Sequence, residues 1–193
     1  MLSRNLLLYA LAAGAMSAMA WRLGVGKSRL KIRSEEEHFP TVSGFNLNRQ
    51  EIEFPRDFAG RLNLVFVPFL QYQQSTVDTW IPFARDLEES DADLVYYELP
   101  TIDDRSRLSR TFINEGMRTG IPDPLSRART VTLYLDKQKF RRATRISGDD
   151  EVHVLLVNRS GEILWRTVGP FSEEKGRDLL GFIERHKPGQ AAG

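Results

Sequence analysis

The 193-residue chain contains no cysteine. That excludes a disulfide framework, a thiolate nucleophile and a Cys-ligated zinc or iron–sulfur centre. It leaves the compartment open, because a cysteine-free protein is stable in either redox environment. Histidine is scarce as well: His38, His153 and His186 fall in a linker, a strand and a helix end, without the spacing of a metal-ligand set. No G-x-S-x-G surrounds a serine nucleophile, and no internal repeat or low-complexity tract appears. "GVGKS" at Gly24–Ser28 resembles the end of a phosphate-binding loop, but the pattern needs glycine where Trp21 stands, and no strand precedes it.

What is present is the composition of one globular domain, 41% hydrophobic and 27% charged, with a sizeable core. The net charge of +1 averages opposed blocks. Residues 1–34 carry six Lys/Arg and no acid, and residues 35–102 carry four basic and thirteen acidic groups. Residues 103–145 then carry eleven basic against five acidic, and the remainder six against eight. Such blocks bear on partners and orientation more than on fold.

The uncharged stretch Asn5–Trp21, after a short basic region and with "AMA" at its end, fits a signal peptide or a membrane anchor over residues 1–21. The basic residues directly after it favour an anchor with the domain on the cytoplasmic side, and their Arg- and Ser-rich, acid-poor character also suits a mitochondrial presequence. Residues 22–38 read as a basic then acidic linker, residues 39–187 as the folded domain and residues 188–193 as a tail. The protein is thus expected to be membrane-associated or exported, with the mitochondrial inner membrane as the eukaryotic possibility.

Within the domain, "GFNLNRQEIEFPRDFAG" has the alternation and turn residues of short strands. Leu62–Phe69 is nearly continuous in apolar residues, as in a central strand covered on both faces. Ser75 then suits a helix N-cap, with Asp78 three residues on and Val77, Trp80, Ile81, Ala84 and Leu87 facing the sheet. Pro82 interrupts that helix. A strand at Leu94–Leu99 leads to a basic helix over Arg105–Met117, with Leu108, Phe112 and Ile113 inward, which "GIPDPLSR" breaks. A strand at Thr130–Leu135, a short basic helix at Lys137–Arg142 and a hairpin turning at Asn158 and Gly161 follow. Ser172 caps a last helix whose apolar side is Leu179, Leu180 and Ile183. The order gives an α/β domain, a mixed sheet with helices on both faces.

The strand "LNLVFVPF", the helix "STVDTWIPFARDLEES" and the hairpin "HVLLVNRSGEILWRTVG" resemble the thioredoxin-like superfamily, nearer its redoxin and peroxiredoxin-type branch, over roughly residues 39–186. With Pro82 as the family's helix proline, Gln74 and Val77 occupy the two cysteine positions, and "QSTV" stands where a dithiol would be. The segment "SGDDEVHVLLV" also lacks the proline that the family places before the strand facing the dithiol. Both departures remove thiol chemistry. The run from "GMRTGIPDPLSR" to the hairpin is similar to the mitochondrial ATP synthase assembly factors of thioredoxin-like fold, which implies a non-redox helper of a membrane subunit.

The residues therefore point to a binding or assembly module at a membrane, requiring no cofactor. Its docking face is expected to combine Gln71, Gln73, Gln74 and Ser75 with cations of the basic stretch, Arg105, Arg110, Arg118 and Arg142. Partners would be a protein, such as a subunit of a membrane complex, and anionic lipid. Nucleic acid is not expected, because Phe112, Tyr134 and Phe140 suit core positions better than a stacking surface. An enzyme handling an anion with Arg118, Arg142 and Glu115 is the alternative from another class, and an anchored domain whose relevant part is the anchor is a third. The acidic runs 35–37 and 149–151 read as solvated loops.

Overall fold

A computed structural model describes residues 37–103 and 107–186, with the side chains of 107–109 and 112 outside that description. The N-terminal segment, Arg105, the side chains of Leu108 and Phe112 and the C-terminal tail lie outside it, and the expectations placed on them are not addressed by it. Among the described residues eight strands are interspersed with helices. β1 (Val42–Asn46) and β2 (Glu51–Phe54) form a hairpin, and β3 (Leu62–Val67) is buried at every position. A 3-10 turn at Gln71–Gln73 runs into α1 (Gln74–Ser90). Then follow β4 (Leu94–Glu98), β5 (Thr101–Asp103), α2 (Arg107–Gly120), α3 (Pro124–Arg129) and β6 (Val131–Leu135). The described residues close with α4 (Lys137–Ala143), β7 (His153–Asn158), β8 (Ile163–Val168) and α5 (Glu173–Arg185).

The strands order as β2-β1-β6-β5 and β4-β3-β7-β8. One line of chain joins the two sheets. Beyond β4 the N–H groups of Leu99 and Thr101 donate to Phe66 and Pro68, while Leu133 donates to Pro100 and Glu98 bridges Thr130. Pro100 has no N–H to give the ladder, so regular pairing lapses there and resumes as β5. β3 pairs parallel with β4 and antiparallel with β7, which makes it the centre of a mixed sheet.

Alternation along the strands sends side chains into two cores. Leu64, Phe66, Leu94, Tyr96, Val154 and Leu156 meet Val77, Trp80, Ala84 and Leu87 of α1 and Leu179 and Ile183 of α5. On the other side Val65, Val67, Val95, Tyr97, Leu133 and Leu155 meet Phe39, Phe54, Phe58 and Phe140 of α4. Helices thus cover both faces, as expected.

Three local readings need correction. Ser75 does not cap α1: the 3-10 turn carries the helix back past it, and its hydroxyl donates to Tyr72 O instead. "GIPDPLSR" ends one helix but starts another, because the Asp123 carboxylate accepts from the N–H groups of Leu125 and Ser126, with Pro124 at the first position of α3. Leu180 is 38% exposed, since the α5 stripe that faces the sheet runs through Leu179 and Ile183.

Candidate functional site: the loop after β3

The loop leaving β3 stands at the mouth of the fold, and its conformation is set by one buried side chain. Gln73 is 2% exposed. Its Oε1 accepts from the N–H groups of Phe69 (2.7 Å) and Leu70 (3.2 Å), and its Nε2 donates to Asp149 O (2.8 Å). Both ends of the amide are thereby spent inside the fold, so Gln73 is a strut rather than a contact surface. Gln71 and Ser75 are exposed and Gln74 is half-buried, so these three remain at the mouth. Tyr72 beside them is 68% exposed.

Beneath Gln74 lies a carboxylate that is absent from the sequence-predicted site residues. Glu98, the last residue of β4, is 5% exposed. Gln74 Nε2 donates to Glu98 Oε2 (3.2 Å) and to Asp78 Oδ1 (3.0 Å), so one amide nitrogen serves two carboxylates. Burial pushes the Glu98 carboxyl above its ordinary range, the Gln74 hydrogen bond opposes that, and the Asp78 charge adds to it. The signal was a lone Glu in an apolar strand, "LVYYE", which alternation alone places on the α1 side.

A second polar group braces the loop that precedes β7. His153 is 8% exposed, its Nε2 lies 3.1 Å from Gly148 O, and burial lowers its pKa. Asp149 of the same loop faces Lys137 (3.6 Å) and Arg141 (3.6 Å), and Lys137 also faces Asp103 (3.7 Å). Glu37 meets Arg145 and Arg166. Two residues of the acidic runs are therefore ion-paired in the structure, not merely solvated.

The cations of the basic stretch are dispersed. Arg110 lies over the Tyr134 ring at 5.1 Å, and Arg118 sits 3.8 Å from Glu115, which Arg49 holds at 2.9 Å and keeps below the usual carboxylate range. Arg118, Glu115, Arg49 and Phe45 line a shallow cleft of about 260 Å³. Arg142 is exposed on α4. Thr132 and Tyr134 of β6 reach Met117 and Asn114 of α2, whereas Leu133 packs with Phe140 of α4, so α2 and α4 lie on opposite sheet faces. The anion pocket of Arg118, Arg142 and Glu115 is accordingly not assembled. Elsewhere the basic and acidic blocks meet each other, with Arg129 on Glu88 and Arg85 on Asp123.

No family model and no curated protein matches the sequence. Solved structures do match the fold. Yeast Sco1 with copper bound aligns with a TM-score of 0.55 at 11% identity, over 80% of this chain and 97% of that one. Arabidopsis thaliana ScoI with copper bound gives 0.52 at 9% identity, over 76% and 98%. The mitochondrial 2-Cys peroxiredoxin of Plasmodium falciparum gives 0.50 at 11% identity, over 82% and 99%. Identities this low establish architecture and leave activity open. The chain therefore has a thioredoxin-like fold, of the kind found in Sco proteins and peroxiredoxins, and carries it without a single cysteine.

Proposed function

We propose that the protein is a non-redox binding module in which the loop after β3 has become a docking surface for a protein partner, a subunit of a membrane complex whose assembly it assists. The observation that carries this reading is the build of the loop. Gln73 fixes the backbone from within, while Tyr72 (68% exposed) and Leu70 (36% exposed) are held outward. A large aromatic side chain on a rigid support is the kind of residue that dominates binding interfaces. Gln71, Gln74 and Ser75 around it supply the polar rim.

Cysteine-dependent turnover is closed to a chain without cysteine. Copper, which both Sco structures hold, would find no thiolate here. The N-terminal hydrophobic segment supplies the membrane part of the proposal.

The test is photocrosslinking in membranes with a photoreactive residue at Gln74 of the full-length chain and, as control, at Arg185 on α5. A specific protein captured from Gln74 alone, and lost when Tyr72 is changed to Ala, is the expected result. Equal capture from both positions, or none from Gln74, would overturn the docking reading.

A further inference from the structure

The mouth presents three apolar side chains to solvent: Tyr72, Val168 at 40% exposure and Leu70. They share one end of the β4-β3-β7-β8 sheet. Glu98 pairs with Phe66, Val67 with His153 and His153 with Val168, so one row crosses all four strands, and Leu70 and Tyr72 follow β3 directly.

Carboxylates stand on both flanks of this apolar strip. On the β4 flank the exposed Asp78 shares the Gln74 amide with the buried Glu98. One amide nitrogen leaves acceptor capacity on both carboxylates. On the β8 flank a Cβ added at Gly169 would lie 3.1 Å from Glu151 Oε1, which puts that carboxylate beside Val168. Asp150 is exposed next to it, and the Asp149 carbonyl, held by Gln73, fastens their loop to the mouth. Cations near the mouth are engaged: Lys175 directs Nζ to the carbonyls of Val168 and Pro170, and Lys137 and Arg141 face Asp149.

From this complementarity we infer that the partner segment docking on the mouth is extended and basic, with an apolar residue seated on Leu70 and Tyr72 and a lysine or arginine on either side of it, one at Asp78 and one at Glu151. Strands about 4.8 Å apart put the two flanks roughly 14 Å from each other, which an extended chain crosses in about four residues at roughly 3.3 Å each. Positions i, i+2 and i+4 of such a segment share a face, so cation, apolar residue and cation meet the mouth together. The inference rests on the docking reading above and names the chemistry of the occupant. An anionic lipid surface would be repelled by the same rim.

The experiment uses the full-length purified chain in detergent and a synthetic heptapeptide with blocked ends, lysine at its second and sixth positions, benzoylphenylalanine at its fourth and valine elsewhere. A control peptide carries glutamate in place of both lysines. Photolabelling mapped by mass spectrometry is expected on residues 70–75, about threefold or more stronger with the lysine peptide than with the control at low salt and weakened at about 1 M salt. Asp78→Asn combined with Glu151→Gln should abolish that preference, with a thermal melt to verify the fold, and Glu151→Gln alone, which leaves the Gln74 contacts intact, should weaken it. Equal labelling by the two peptides, labelling confined to other residues, or a preference that survives the double change would overturn the inference. A membrane protein captured from Gln74 as strongly in the double variant as in the wild type would defeat this inference and leave the docking reading standing. The lysine preference with no membrane protein captured from Gln74 would do the opposite.

Discussion

Gln73 and Gln74 are neighbours in sequence and opposites in role. The first turns inward and braces three backbone groups, and the second faces the mouth and shares its amide between Glu98 and Asp78. Changing Gln73 to Ala strands buried N–H groups and should cost about 1–3 kcal/mol in urea unfolding, with the loop loosened. Glu98 makes a prediction with a definite sign. Because burial raises its folded-state pKa, the fold favours the protonated carboxyl. The corresponding stability is complete below the ordinary carboxylate range and is lost as pH climbs through the raised value. Glu98→Gln, which keeps an acceptor for Gln74, should therefore match the wild type in acid and exceed its melting temperature increasingly toward neutral pH. A constant difference at all pH values would contradict this assignment. The inward turn of Gln73 was not legible in the sequence, since it depends on the tertiary path of the loop, and alternation put Glu98 on the α1 side without placing it under Gln74.

At the scale of elements, what the sequence announced best was what local chemistry alone decides. The β7–β8 hairpin turns where Asn158 and Gly161 were expected, with Asn158 Oδ1 accepting from the N–H groups of Ser160 and Glu162. Gly161 sits at φ +94°, and an added Cβ would come within 2.8 Å of Pro55 Cγ. Gly161→Ala should accordingly destabilise the domain by about 1–3 kcal/mol, measurable by chemical denaturation, through a strained backbone and a crowded neighbour. The Ser172 cap of α5 was equally legible, its hydroxyl accepting from the Lys175 N–H. Ser75 misled because a cap motif says nothing of a 3-10 turn that extends the helix upstream. β5 escaped notice because it has three residues and is defined by its partner β6 rather than by a pattern of its own.

For the whole molecule, opposed charge blocks become pairs between distant elements, from Glu37 on Arg145 to Glu88 on Arg129. Two buried groups at the mouth also set limits on pH. Burial lowers the His153 pKa, so its contribution falls as pH drops below the ordinary histidine range toward that lowered value, whereas the Glu98 contribution falls as pH climbs above the ordinary carboxylate range, so the two oppose each other between those ranges. In a thermal melt series His153→Gln should flatten the loss of stability below the ordinary histidine range; an unchanged acid limb would rule out that role for His153. Hydrophobic periodicity, turn residues and the missing cysteines determined the fold class and excluded thiol chemistry, because these are properties of local patterning and of elemental composition. Only the tertiary structure decided that Gln73 is internal and Tyr72 is presented, that Glu98 lies under Gln74, and that Arg118 and Arg142 stand on opposite faces. Burial and charge pairing arise between residues tens of positions apart, and no local window of sequence contains them.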